Sequence, residues 1–281
     1  MATSSRRRAE RSRRRNTASD FSARVWVAVP AIAYAIAIVA AGGPVFAAGV
    51  VLLGLICLHE LFRMYEALRP VRLAGFVGLI GLAAAAQFGG EHQVLLATVA
   101  FFPVLFLLAL AMPERPDVPL TDGMMITLLG TLWVGLAIAH AVMLRELPHG
   151  DGIVIDVLVG TFVGDTAAYV GGRAFGTRPL ALRISPNKTL EGLAFGIAGS
   201  AIAVWCAGLY QDWLGGWNAL LLGVVVGLAA PLGDLFESKI KRDAGAKDAG
   251  TLFGPHGGAL DRLDAALFSL VAGYYLWLLL L

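Results

Sequence analysis

The sequence predicts an all-α integral membrane protein with about nine transmembrane helices. Of its 281 residues, 58% are hydrophobic and only 15% are charged, and the mean hydropathy is +0.74. An ordinary soluble domain has roughly 25% charged residues. The apolar excess therefore excludes a soluble globule, and it also excludes a disordered chain, because disorder requires low hydrophobicity and high net charge.

Nine apolar stretches are long enough to cross a bilayer, which takes about 20 mostly apolar residues. The predicted spans are 25–41, 45–67, 72–88, 93–112, 123–144, 152–172, 191–210, 217–237 and 261–281. They divide the chain into a basic tail at 1–22, about five N-terminal spans within 23–150, and a C-terminal region of about four spans at 151–281. We expect the chemistry in the C-terminal region, for the reasons given below.

The distribution of arginine and lysine predicts a cytoplasmic N-terminus. Seven arginines lie in the first 15 residues. Such a run beside a first span is expected to be disordered, to fix the topology and to contact anionic lipid rather than nucleic acid. With this end inside, the inner loops carry most of the remaining cations, and the outer loops carry only Arg145.

Ionisable side chains inside spans are costly, and here they concentrate near the inner ends of the sixth, eighth and ninth spans. Asp165 and Tyr169 share a face of the sixth span, and Asp165 lies about two turns inside Arg173. A carboxylate at this depth requires a cation or a water-filled cavity. Small residues of the same span recur at intervals typical of close helix packing: Gly160, Gly164, Ala168 and Gly172.

The loop before the seventh span carries side chains that could surround an anion beside a helix N-terminus. They are Ser185, Asn187, Lys188 and Thr189. The alternative is a helix cap, in which Thr189 or Asn187 caps the span and Glu191 lies in its first turn. The two interpretations can hold together.

The inner end of the eighth span carries one polar stripe at helical spacing, formed by Asp234, Glu237, Ser238 and Lys241. Carboxylates beside cations suit a metal ion that carries a polyphosphate. The alternative is a row of salt bridges that neutralises itself.

The segment that follows contains Lys247, Asp248, His256, Gly257, Gly258, Asp261, Arg262 and Asp264. The two glycines would let the backbone approach a ligand closely. Asp261 and Asp264 share a face at the start of the ninth span, where the helix dipole also favours them. His256 alone could be a turn residue.

Hard oxygen ligands dominate these segments: Asp165, Asp234, Asp248, Asp261 and Asp264. The two loops between the last spans contain one histidine and no cysteine, which argues against zinc and favours Mg²⁺ or Mn²⁺. Mg²⁺ that holds phosphates beside lysine and arginine is typical of phosphoryl or nucleotidyl transfer.

Residues 238–264 resemble the signature of the phosphatidate cytidylyltransferase (CDP-diacylglycerol synthase) family. The matching positions are Ser238, Ile240, Lys241, Arg242, Lys247, Asp248, His256, Gly257, Gly258, Asp261, Arg262 and Asp264. Residues 165–173 and 185–192 also resemble segments of this family, whereas the first five spans match it only in hydropathy. Gly254 and Pro255 reverse the usual Pro-Gly order, and Ala259 replaces a larger apolar residue.

The resemblance implies an Mg²⁺-dependent enzyme, with Mn²⁺ as an alternative, that joins CTP and phosphatidic acid to give CDP-diacylglycerol and pyrophosphate. We expect it in the plasma (inner) membrane of a prokaryote, in contact with bilayer lipid and with its active site facing the cytoplasm. No nucleic-acid partner is expected, and a homodimer is left open.

The resemblance also implies roles for single residues. Asp234 and Asp261 are the first candidates for metal ligands, with Asp165, Asp264 and Asp248 as further ones. The cations expected to stabilise the triphosphate and the departing pyrophosphate are Lys188, Lys241, Arg242, Lys247 and Arg262. The residues expected to bind substrate are Tyr169, Arg173, Ser185, Asn187, Thr189, Ser238, His256, Gly257 and Gly258.

A membrane transporter of an anion or cation is the alternative from another class, because charges within spans and a proline in the eighth span suit a carrier. Polar groups that crowd one surface rather than the midplane, without an evident inverted repeat, favour the enzyme. Another CTP-using lipid enzyme, such as a polyprenol kinase or an archaeal-type CDP-lipid synthase, fits the signature at 238–264 less well. A non-catalytic scaffold would leave the inward-facing charges without a purpose.

Overall fold

Ten α-helices and one β-hairpin make up the described part of the chain in a computed structural model, which comprises residues 29–113, 115–252 and 257–281. The predicted tail at 1–22 and the predicted site residue His256 lie outside the described residues. The helices are α1 (Val29–Ala41), α2 (Gly43–Met64), α3 (Arg72–Gly89), α4 (Glu91–Leu110), α5 (Leu120–Gly130), α6 (Leu136–Glu146), α7 (Gly150–Phe175), α8 (Leu190–Gly208), α9 (Gly216–Asp243) and α10 (Leu260–Leu280). A short 3-10 helix, Glu66–Leu68, follows α2.

Eight helical segments of the described chain are long and apolar enough to cross a membrane, and the shorter α1 is apolar as well. One of the eight, Leu120–Glu146, consists of α5, a π-helical stretch at Thr131–Gly135 and α6. The predicted fold class, an all-α integral membrane protein, is confirmed. The eighth predicted span, 217–237, is longer in the structure because α9 continues through its polar stripe to Asp243.

Short connections between successive spans make these spans run in opposite directions, so the connections fall on two sides of the protein. On one side, Arg69 donates to Pro113 O (2.8 Å) and Tyr65 donates to Ile240 O (2.8 Å). These bonds bring the connections at 65–71 and 111–119 together beside the end of α9. We call this side, which also carries the connections at 176–189 and 244–259, the basic face.

Small residues let α7, α8 and α9 approach one another closely, as the spacing in the sixth predicted span indicates. A Cβ atom on Gly164 would lie 3.2 Å from Gly196 O, and one on Gly172 would lie 3.4 Å from Gly192 Cα. α9 meets α8 in the same way at Gly223. Because lipid offers apolar side chains no hydrophobic drive to associate, such close backbone contact is a main source of helix–helix attraction.

The antiparallel hairpin between α7 and α8 is not predicted by the sequence analysis. It pairs β1 (Pro179–Ala181) with β2 (Ser185–Thr189), with Pro179 opposite Thr189 and Ala181 opposite Ser185. Strands this short lack the apolar alternation that marks a strand in a sequence. Thr189 ends β2 and caps α8, because its Oγ1 accepts the N–H of Gly192 (3.1 Å), as the cap interpretation predicts.

We expect Gly223→Ala to destabilise the protein by about 1–3 kcal/mol, because its methyl group would press on the backbone of α8. A Cβ atom at this position would lie 2.5 Å from Ala201 Cα and 2.7 Å from Ser200 O. The measurement is the temperature at which the purified protein loses its monodisperse peak in detergent. Gly81→Ala, where nothing lies within 4 Å of the new Cβ, is the matched control and should not lower this temperature. Equal temperatures for both variants would contradict the packing described here.

Candidate active site

The last part of α9 and the strand β2 meet at the basic face through an ion pair. Lys188 Nζ lies 2.5 Å from Asp234 Oδ2, and the two side chains are only 25% and 34% exposed. Ser238, one turn further along α9, donates its hydroxyl to the other oxygen of Asp234 (3.2 Å). The hairpin therefore delivers a cation to the polar stripe of α9, and Ser238 orients the carboxylate that receives it.

Three carboxylates lie together where α9 passes α10, and we call Asp234, Glu237 and Asp264 the acidic trio. One carboxylate oxygen of each lies within 4.8 Å of the others. Glu237 is 1% exposed and Asp264 is 8% exposed. The two helices come this close because Gly233 has no side chain, since a Cβ atom there would collide with the carbonyl oxygen of Asp264.

Lys241 links the acidic trio to Asp261. Its Nζ lies 2.5 Å from Glu237 Oε2 and 2.7 Å from Asp261 Oδ1. The carboxylate of Asp261 also accepts the N–H groups of Ala249 (2.9 Å) and Gly258 (2.7 Å). Asp261 thus ties the segment before α10 to α9, and both of its oxygens are engaged by N–H donors.

Negative charge exceeds positive charge in this pocket, which makes it suited to a cation. Lys188 and Lys241 face the carboxylates of Asp165, Asp234, Glu237, Asp261 and Asp264. The buried Oε1 of Glu237 has no hydrogen-bond partner among the described residues. Hard carboxylate oxygens, one of them without a partner, fit a divalent cation such as Mg²⁺. Among the described side chains, the trio is the one group of histidine, cysteine and carboxylate ligands close enough to share an ion.

Asp165 lies beside this pocket, on α7, whereas the trio lies on α9 and α10. It is exposed on the surface of α7 and interacts electrostatically with Asp234 and Lys188. It also lines a narrow crevice between α7, α8 and α9 that has room for about one water molecule, and the other lining residues are glycine, alanine and Pro231. Asp165 therefore adds a further carboxylate at the edge of the pocket.

Glu191 holds the base of the hairpin in place. Its carboxylate accepts the backbone N–H groups of Thr177 (3.1 Å) and Arg178 (3.2 Å), the Thr177 hydroxyl (3.0 Å) and Arg178 Nε (2.9 Å). Four donors on one carboxylate fix the turn from α7 into β1. The sequence interpretation of Glu191 as a first-turn residue is correct but incomplete, since this anchor also sets the position of the strand that carries Lys188.

The remaining predicted site residues lie around the pocket. Ser185 and Thr189 are half-buried in β2, and Gly257 and Gly258 are buried before α10, with Gly257 at φ +81°. Arg173 donates to the hydroxyl of Tyr169 (3.0 Å). Residues exposed at this side are Tyr169, Arg173, Asn187, Arg242, Lys247, Asp248 and Arg262. The structure does not bring Asp248 into the acidic trio, and all of these roles stay predictions.

Two residues of the site are absent from the predicted set. Glu237 stands in the polar stripe of α9, but its spacing alone does not separate a ligand from a salt bridge. Glu60, near the end of α2, is 6% exposed and accepts the N–H of Leu260 (2.9 Å). The signal that could have found Glu60 is a carboxylate inside an apolar span, which is costly without a function.

The sequence matches the model of the cytidylyltransferase family over residues 22–280. The chain belongs to this family. The resemblance carried by residues 238–264 is thereby confirmed.

Relatives in several bacteria are phosphatidate cytidylyltransferases. The one from Synechocystis sp. is 30% identical, over 92% of this chain and 97% of its own length. The one from Bacillus subtilis is 31% identical, over 80% of this chain and 85% of its own length. The one from Mycobacterium leprae is 38% identical over 53% of this chain and 47% of its own length. The chain spans about half the length of the mycobacterial relatives that it matches.

We expect Glu191→Ala to loosen the hairpin without unfolding the helices, because it removes the acceptor of four donors at the hairpin base. Amide hydrogen exchange of residues 176–189 should become severalfold faster, while exchange within α7 and α8 stays the same. Glu146→Ala, at an exposed position on the opposite side, is the control for losing one carboxylate. Unchanged exchange at 176–189 would show that the hairpin does not depend on Glu191.

Proposed function

We propose that this protein is a phosphatidate cytidylyltransferase, which converts CTP and phosphatidic acid into CDP-diacylglycerol and pyrophosphate in phospholipid biosynthesis. The observation that carries the proposal is the ion pair of Lys188 with Asp234 inside a group of carboxylates at the basic face. Membership of the cytidylyltransferase family supports it. So does the name of the Synechocystis relative, which matches over nearly its whole length.

The location of the site suits one lipid substrate and one water-soluble anion. Positive residues mark the cytoplasmic side of a membrane protein, so we place the basic face in the cytoplasm, where CTP is found, and the protein in the plasma membrane of a prokaryote. Asp165 lies ten residues before the end of α7, on the side of the pocket towards the bilayer. A phosphatidate headgroup at the membrane surface can reach the same pocket from that side.

The reaction needs no covalent enzyme intermediate, because the lipid phosphate is itself the nucleophile. One of its oxygens attacks the α-phosphorus of CTP. The bond from that phosphorus to the oxygen that bridges to the β-phosphorus breaks, and pyrophosphate leaves with this oxygen and its electron pair. Lys188 and Lys241 stand where they can stabilise the charge that develops on the phosphates.

The acidic trio is the set of residues that we assign to Mg²⁺, with Mn²⁺ as an alternative. When bound, the ion neutralises and orients the phosphates of CTP. The sequence alone puts Asp234 and Asp261 first, but Asp261 already accepts two N–H groups and the ammonium group of Lys241. We therefore favour Glu237 and Asp264 beside Asp234, and keep Asp165 and Asp261 as further candidates.

The other predicted roles complete the proposal. Ser185, Asn187 and Thr189 lie on the strand that carries Lys188, where they can position a phosphate. Gly257 and Gly258 lie against the carboxylates of Asp261 and Glu60, and their role in binding a phosphate stays a prediction. The basic tail on anionic lipid and a homodimer stay predictions.

The decisive experiment assays the purified full-length protein in mixed micelles with phosphatidate, Mg²⁺ and each of CTP, dCTP, ATP and GTP. We expect lipid-linked nucleotide and pyrophosphate in equal amounts with CTP, and little of either with ATP or GTP. No lipid-linked nucleotide with any of the four would contradict the proposal. Flux of a labelled anion or cation into vesicles without consumption of CTP would support the transporter instead.

We expect Asp234→Asn to lower kcat by about 10²–10³-fold or more, because it removes a charge that faces both Lys188 and the proposed metal. The protein should still be folded in the membrane. Asp243→Asn removes an exposed carboxylate that pairs with Lys239 on the same helix, and it should leave the activity near that of the wild type. Near-normal turnover of Asp234→Asn would refute the metal assignment.

Removal of the metal provides a separate test. Excess EDTA should abolish turnover, and Mg²⁺ or Mn²⁺ should restore it, whereas Zn²⁺ should not, because the trio offers only hard oxygen ligands. A Glu237→Gln variant should need more Mg²⁺ for half-maximal activity. Full activity in EDTA would mean that the carboxylates serve another purpose.

A further inference from the structure

Glu60 reaches from the end of α2 to the start of α10, 200 residues further along the chain. Its Oε2 accepts the backbone N–H of Leu260 at 2.9 Å, and the side chain is 6% exposed. Leu260 is the first residue of α10, which carries Asp261 and Asp264 in its first two turns. A carboxylate from an N-terminal span therefore touches the element on which two candidate site residues stand.

The backbone before α10 is shaped around this carboxylate. A Cβ atom on Gly250 would collide with Glu60 Oε1, and one on Gly258 would collide with both oxygens of Glu60. Gly258 also donates its N–H to Asp261 Oδ2 (2.7 Å). The carboxylate of Glu60 thus occupies the space that side chains at 250 and 258 would need. It also lies against Gly258, whose N–H group binds Asp261.

The first N–H group of α10 has its acceptor on another helix. The first N–H groups of a helix have no partner within it, and their aligned dipoles favour a negative charge nearby. Ala259, at the N-cap position, has no side-chain acceptor, and no side-chain cap bond forms from it. Glu60 accepts the N–H of Leu260 and adds its negative charge to that of Asp261 in the first turn of α10.

α2 itself is fixed close to this point. Tyr65, five residues after Glu60, donates its hydroxyl to Ile240 O in α9 (2.8 Å). Burial raises the pKa of Tyr65, which keeps the hydroxyl protonated as the donor. α2 is therefore tied to α9 at Tyr65 and to α10 at Glu60, and these are the two helices that carry the acidic trio.

We propose that Glu60 is a positioning residue of the active site. It fixes the start of α10 against α9, and thereby sets the places of Asp261 and Asp264 relative to Asp234. It acts through these residues. Its kinetic effect rests on the proposed function, whereas its effect on the order of the backbone at 257–264 does not.

The test compares Glu60→Gln and Glu60→Ala with the wild type in the full-length protein. Glutamine retains an acceptor for the N–H of Leu260 but removes the charge, whereas alanine removes both. Hydrogen exchange at 257–264 should become faster in the order wild type, Gln, Ala. The Mg²⁺ concentration for half-maximal activity should rise by about 10–100-fold in Glu60→Ala. Glu60→Gln should give a value between those of the wild type and Glu60→Ala. The KM for phosphatidate should not change in either variant.

Glu66→Gln is the matched control, because Glu66 is an exposed carboxylate on the same side, paired with Arg72. It should behave as the wild type in both measurements. The proposal would be overturned if both Glu60 variants kept wild-type hydrogen exchange at 257–264 and wild-type Mg²⁺ dependence. If the wild type itself makes no lipid-linked nucleotide, the proposed function fails, but the exchange measurement still decides the role of Glu60.

A compensating pair covers the case in which Glu60→Ala does not fold. Gly250→Ala alone should impair the protein, because its methyl group meets the Glu60 carboxylate. In the Glu60→Ala background no carboxylate meets this methyl group. The loss of stability in the double variant should therefore be smaller than the sum of the losses in the two single variants. Gly81→Ala, distant from Glu60, should combine with it additively. Additive effects for Gly250→Ala as well, or an unimpaired Gly250→Ala, would count against the proposal.

Discussion

Carboxylates within membrane-spanning helices are costly unless cations or water face them, and this requirement governs the arrangement of the site. Asp234, Glu237 and Asp264 meet because Gly233 lets α10 approach α9. Lys188 enters from the hairpin, and Lys241 enters from the next turn of α9. Two ammonium groups do not balance these carboxylates together with Asp165 and Asp261, so the pocket is left with an excess of negative charge. A divalent cation would neutralise that excess, and the lysines around it suit the phosphates that such an ion would carry.

Several side chains of the site are held by neighbouring groups, either from the same helix or from another part of the chain. Glu191 fixes the hairpin that carries Lys188, and the close contact of α7 with α8 fixes Glu191 in turn. Ser238 orients Asp234, while the segment before α10 is held by Asp261. Glycine at the helix contacts makes these distances short. Catalysis by charge stabilisation depends on such fixed positions, because groups that need not reorganise stabilise a transition state best.

The sequence predicts the spans and much of the pocket, because both depend on features that are local in the chain. Apolar length identifies the helices. The polar stripe of the eighth span contributes Asp234 and Lys241 to the predicted site, and the motif at 238–264 adds Asp264. The role of Asp261 is harder to predict, since two of its donors are backbone N–H groups at 249 and 258, whose positions depend on the folded loop. The hairpin escapes prediction because its strands are too short for a periodic pattern.

Glu60 shows most clearly what a linear pattern leaves out. It lies in a span in which the sequence alone shows no motif, and its partner is 200 residues away. Other contacts also join the first spans to the last: Tyr65 with Ile240, Glu91 with Tyr274, and Pro148 with Trp277. They occur on both sides of the protein, so the N-terminal spans brace α9 and α10 along their length. Since the acidic trio exists only where α9 and α10 are held together, the spans that carry no motif contribute to the geometry of the site as directly as those that do.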